Sequence, residues 1–161
     1  MSAPRSVYWA PVLRLRLVAW ARAARTREAC GVLLGTRELD AVEIRCAVEA
    51  RNLSADADAF VCDPGAIVAA EQKARATGLT LVGFWHSHGS GPALPSSRDA
   101  AGAWPVSVTA VVTVLPRPSV RVWRFEGRAA VELPCTELAT CVGPIAAHNQ
   151  PWTQSRMTAS P

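Results

Sequence analysis

Hydrophobic and polar positions along this chain follow two rhythms, and the switches between them mark its elements. Leu13, Leu17 and Trp20 recur at helical spacing with Arg14, Arg16 and Arg22 between them, and Pro11 suits a first helical turn. An amphipathic helix is predicted to about Arg25, its arginines forming a solvated face, after a short strand at Ser6–Trp9. CGVLLG, Cys30–Gly35, is an apolar run closed by glycine and predicts a buried strand. Ala41–Ala50 sets Val42, Ile44, Cys46 and Val48 against Glu43, Arg45 and Glu49, the pattern of a half-buried strand. NLSADADAF is a polar loop, FVC a short strand, and Pro64 opens a second helix that Gly78 ends. Leu79–Trp85 and the β-branched run Ser107–Leu115 predict buried strands, while Arg121–Phe125 and Ala129–Leu133 alternate around a Glu126-Gly127 turn.

Helices mixed with strands, some joined as hairpins, predict an α/β (α+β) sheet covered by helices. No periodicity follows Pro134, so a domain over 1–134 and a partly disordered C-terminal tail over 135–161 are expected. A chain of 161 residues suits one buried core. The apolar runs are strand-sized and broken by Arg or Pro, which argues against a membrane span. The Arg-rich N-terminus lacks an unbroken apolar stretch and is expected to belong to the fold rather than to a targeting peptide. The formal charge of +4 is mostly scattered arginine, which argues against a nucleic-acid partner. Five cysteines with irregular spacing suggest reduced thiols and a cytoplasmic location.

The chemistry concentrates in WHSHGSGPALPSSRD, which holds two of the chain's three histidines. Side chains at i and i+2 of an extended segment point the same way, so His86 and His88 can meet one ion. A Gly- and Pro-rich turn follows, then Ser96 and Asp99, three apart and on one helical face. Two imidazoles and a carboxylate suit one Zn2+ per chain with a position left for water, the form of a catalytic rather than a structural site. Such a water needs a base, and Glu28, which enters the apolar run ACGVLLG, is the candidate. Ser96 can donate to a developing oxyanion, although a helix N-cap is the plainer role for it or Ser97. Ser87 should point away from the ion and hold its strand in place, and Trp85 should pack.

His-x-His, seven residues, then Ser-x-x-Asp, preceded by glutamate in EACGVLLG, resembles the JAMM (MPN+) zinc metalloproteases, above all their compact bacterial members. The resemblance covers roughly Tyr8–Leu133. It implies zinc ligands at His86, His88 and Asp99, a general acid/base at Glu28 and an oxyanion-stabilising hydroxyl at Ser96. It also implies the JAMM/MPN (cytidine-deaminase-like) fold, a curved, mostly antiparallel or mixed sheet flanked by helices. The implied reaction cuts after the C-terminal glycine of a ubiquitin-like or sulfur-carrier protein with a Gly-Gly tail, with E1-like or E2-like enzymes as further partners. Gly89 stands where bacterial relatives usually carry proline, which should loosen the loop to Pro95, and Trp104 is a candidate edge of a substrate groove. Two alternatives are a RadC-like protein of DNA metabolism, against which EACGVLLG argues, and a noncatalytic MPN interaction module. Cys30, Cys46 and Cys62 are expected to pack as small hydrophobes, and Cys135, Cys141 and His148 match no common metal pattern.

Overall fold

The computed structural model describes residues 3–24, 26–104 and 107–138. The order is β1 (Ser6–Trp9), α1 (Pro11–Ala24), β2 (Cys30–Glu38), β3 (Ala41–Ala50), α2 (Pro64–Ala76), β4 (Thr80–His88), α3 (Ser97–Gly102), β5 (Val108–Thr113), β6 (Ser119–Glu126), β7 (Ala129–Leu133) and β8 (Cys135–Glu137). All eight strands form one mixed sheet in the order β7-β6-β5-β4-β2-β3-β1-β8. β1 runs parallel to β3 and β8, and β4 parallel to β5, while the other neighbours are antiparallel. The two outermost strands, β7 and β8, are separated in sequence by Pro134 alone, whose carbonyl accepts from Val7 N at 3.0 Å. The sheet therefore curls until its edges approach. This is the helix-flanked α+β sheet that the pattern predicts, with the curvature that the resemblance implies.

α1 buries Leu13, Leu17, Val18 and Ala21 on one face, in a core with Trp9, Leu33, Ile44, Trp85, Val112 and Val122. α2 buries Ala70 and Ala74 on the other, against Val32, Leu34 and Phe84. Neighbouring residues of β2 and β4 thus serve opposite cores, as strand alternation requires. In β4 that alternation is reset once: its register with β2 shifts between the pairs Leu33–Gly83 and Leu34–Leu81, leaving Val82 unpaired.

Three expectations are corrected. Gly35 does not close β2; the strand runs on to Glu38 through a bulge, and a Cβ on Gly35 would lie 1.9 Å from the Glu43 carbonyl oxygen. The glycine is there for close backbone approach, not for a turn. FVC forms only an isolated bridge, Asn52 to Cys62. The sheet also continues past Pro134, because the curl carries Cys135–Glu137 alongside β1. The rest of the expected tail, 139–161, lies outside the described residues. Among the described residues, no helix is long and apolar enough to cross a membrane.

Candidate metal centre

The parallel pairing of β4 with β5 requires a crossover, which places α3 just beyond the C-terminal end of β4. His86 and His88 stand on the last turns of the β4 pleat, and their Nε2 atoms lie 3.1 Å apart. Asp99 reaches them from the first turn of α3, with Oδ1 3.2 Å from His86 Nε2 and Oδ2 3.5 Å from His88 Nε2. Its placement is fixed by a capping box. Ser96 Oγ accepts from Asp99 N at 3.2 Å, and Asp99 Oδ2 accepts from Ser96 N at 2.6 Å. Ser96 is therefore the N-cap, and the cap leaves its O–H free to donate.

A metal held tetrahedrally by bonds of about 2.0–2.1 Å requires donor atoms roughly 3.3 Å apart. The 3.1 Å between the two Nε2 atoms and the 3.2 Å from His86 Nε2 to Asp99 Oδ1 fit that requirement, while His88 Nε2 meets the other carboxylate oxygen, Oδ2, at 3.5 Å. Among the described residues these three side chains form the one such cluster able to hold a metal ion. Protonation favours it at His86 and Asp99. Burial lowers the basicity of His86, keeping its ring neutral. Burial alone would raise the Asp99 carboxyl, but hydrogen bonds from His86, His88 and Ser96 overturn it and hold the group well below the usual carboxylate range. The same carboxylate raises His88 by hydrogen bonding.

Glu28 sits just before β2 and is 8% exposed. Burial raises its carboxyl to about 7, against an opposing pull from His88; Asp99 and Asp58 push it up and Arg98 down. Ala29, next along, exchanges two hydrogen bonds with Ser87: Ala29 N to Ser87 Oγ at 2.8 Å and Ser87 N to Ala29 O at 2.9 Å. Ser87 thus ties β4 to the residue beside Glu28, the holding role its position predicts. Trp85 packs in the α1 core, stacked on Trp20 with centroids 5.4 Å apart.

Two contributors were not visible in the sequence. Phe60, the one aromatic of the loop between β3 and α2, stacks on His86 with centroids 4.4 Å apart and an interplanar angle of 17°. It orients the ring, whose Nδ1 is buried without a hydrogen-bond partner among the described residues. Asn52 bonds to Glu28 O, to Ala59 O and to the amides of Ser54 and Val61. The available signal was an Asn opening a polar loop, a residue that readily bonds its own backbone two positions on.

Gly89 is exposed, with open space where a Cβ would stand. Trp104 is 57% exposed and meets Phe84 edge-on, centroids 5.1 Å apart, two residues along β4 from His86. Cys30 is buried, its thiol pushed up first by a hydrogen bond with Cys62 and then by burial, and directed to Ala50 O rather than to the cluster. Cys135 is exposed on β8, while Cys141 and His148 lie outside the described residues.

Comparison with known proteins accords with this geometry. Over 73 residues the chain is 37% identical to a Thermus thermophilus protein named "Probable TtuB-protein conjugate cleaving protease", a match spanning 45% of this chain and 47% of that protein. The chain thus matches about half the length of this curated relative. A solution structure from Desulfitobacterium hafniense superposes with a TM-score of 0.76 at 24% identity, covering 83% of this chain and 94% of that one. Another, from Salinibacter ruber, gives 0.62 at 26% identity, covering 81% and 91%. Residues 11–126 match the prokaryotic homologs of the JAB domain, and the chain belongs to that family.

Proposed function

We propose that this chain is a zinc-dependent peptidase or isopeptidase that cuts after the C-terminal glycine of a ubiquitin-like or sulfur-carrier protein. The observation carrying the proposal is the triangle of His86 Nε2, His88 Nε2 and an Asp99 carboxylate beside the buried Glu28. These three side chains would hold the zinc, which when bound supplies Lewis acidity and a water that ionises near neutral pH. The chain's own residues supply the rest. Glu28, raised to about 7, takes a proton from the attacking water at its carboxylate and returns it to the leaving amine. The Ser96 hydroxyl donates to the scissile carbonyl oxygen as negative charge builds there.

Substrate choice follows from the walls. Arg98 of α3 reaches Asp56 and Asp58 of the opposite loop at 3.7 and 4.0 Å, so helix and loop approach each other near the cluster. A substrate tail laid between them, with Gly89 and Trp104 as its proposed edges, would be accepted as glycine and rejected with a side chain. The Thermus relative is named for cleaving conjugates of one such protein, which supports the same substrate class here. Deconjugation and trimming of a precursor use the same chemistry at the same bond. Against the noncatalytic alternative stands the presence of every residue proposed here as ligand or base.

The test is a panel of ubiquitin-like proteins ending in Gly-Gly and extended by a short peptide, incubated with zinc-loaded enzyme and followed by intact mass. Cleavage after the last glycine is expected. It should be lost with phenanthroline and sharply reduced when either glycine becomes leucine. Cleavage that ignores the glycines or survives chelation would sink the proposal.

A further inference from the structure

Glu28 lies just outside the sheet's ladders. From Cys30 onward, pairing with β3 and β4 fixes the chain, and Ala29 is tied to Ser87. Glu28 is held instead by the loop between β3 and α2. Its N–H donates to Ala57 O at 3.2 Å, and its carbonyl accepts from Asn52 Nδ2 at 2.9 Å. The second Nδ2 hydrogen bond goes to Ala59 O at 2.9 Å, and Oδ1 accepts from Ser54 N at 2.9 Å and Val61 N at 3.0 Å. A side-chain amide offers two donor hydrogens and two acceptor lone pairs, so every valence of Asn52 is used. Asn52 also bridges Cys62 and so closes the base of the loop that presents Phe60 to His86.

We propose that Asn52 is a positioning residue: through one amide it fixes the backbone of Glu28 and seats Phe60 against the ring of His86. The proposal rests on the role given to Glu28 above. A merely structural Asn52 would be a turn former, and aspartate would then replace it well. Aspartate has nearly the same shape and keeps an oxygen for Ser54 and Val61. However, it turns the donor facing the carbonyls of Glu28 and Ala59 into an acceptor. A positioning Asn52 therefore fails as aspartate, whereas a turn former does not.

The experiment compares zinc-loaded wild type, Asn52→Asp and Asn52→Ala. Zinc content, kcat and KM are measured on a ubiquitin-like protein whose Gly-Gly tail carries a short peptide, and amide hydrogen exchange is measured in parallel. Both variants should keep their zinc and a KM within about twofold, while kcat falls about 10- to 100-fold, the usual effect of losing an orienting partner. Exchange should quicken at Glu28 in both variants and at Val61 in Asn52→Ala, and stay unchanged at Trp85 and Ser87. A kcat near wild type in Asn52→Asp would overturn the proposal, as would unchanged exchange at Glu28 in Asn52→Ala. If wild type leaves the fusion intact, the proposed reaction is what fails; the exchange comparison still decides whether Asn52 holds Glu28.

Discussion

Ser87 sits between His86 and His88, yet its side chain serves the other face of the sheet, and replacing it with alanine isolates one buried hydrogen bond. Its Oγ accepts from Ala29 N at 2.8 Å, and serine and donor residue are 3% and 6% exposed. Ser87→Ala keeps the reciprocal bond from Ser87 N to Ala29 O, so the strands stay in register. What it removes is the one acceptor of the Ala29 N–H among the described residues. A buried donor left unsatisfied costs about 1–3 kcal/mol. For a domain of this size each kcal/mol lowers Tm by about 2–4 °C, so a fall of roughly 2–12 °C is expected. Because Ala29 adjoins Glu28, turnover should fall more than substrate affinity. The assay is thermal and urea unfolding of the zinc-loaded variant, with kcat and KM on the Gly-Gly fusion. A stability change under about 0.5 kcal/mol, within the range of ordinary surface substitutions, would refute the claim that this bond anchors the strand to the site.

Glu28 gives a pH signature. Its carboxyl rises from 4.5 to about 7 on folding, so its contribution to stability is full below pH 4.5 and is lost as pH climbs to about 7. In chelator-treated protein, Glu28→Gln should therefore become increasingly stabilising relative to wild type across that window and level off above it; a difference that does not vary with pH would contradict the burial argument. Gly31→Ala should destabilise the fold by about 3 kcal/mol or more, since this is overpacking against backbone. The new Cβ would lie 2.0 Å from Val48 O and 2.4 Å from Trp85 Nε1, across the hydrogen bond those two atoms make at 3.1 Å. Near-neutral urea unfolding of the variant would disprove that packing. His86→Ala/His88→Ala should lose bound zinc by elemental analysis, and full retention would reject the cluster as the metal site.

Local pattern carried much of this structure, and the failures share one cause. The helical spacing of Leu13 and Leu17, the alternation of β3 and the β-branched run of β5 each follow from one segment's own burial. The convergence of His86, His88 and Asp99 was legible for a similar reason. His86 and His88 are neighbours on one pleat and Asp99 follows within one crossover, so little of their convergence depends on distant chain. Gly35, by contrast, looks like a strand end until β3 presses its backbone onto it. Asn52 and Phe60 act through contacts with residues 24 and 26 positions away, which no short-range periodicity encodes. β8 is polar and short, and only the curl of the whole sheet brings it beside β1.

The central claim, that Glu28 moves the proton at a zinc centre built from His86, His88 and Asp99, is tested most directly by Glu28→Gln on the Gly-Gly fusion. The amide is nearly isosteric with the carboxyl and cannot shuttle a proton. Zinc content should match wild type, while cleavage followed by intact mass falls on the order of 100-fold or more. Wild-type turnover by the zinc-loaded variant would contradict the account.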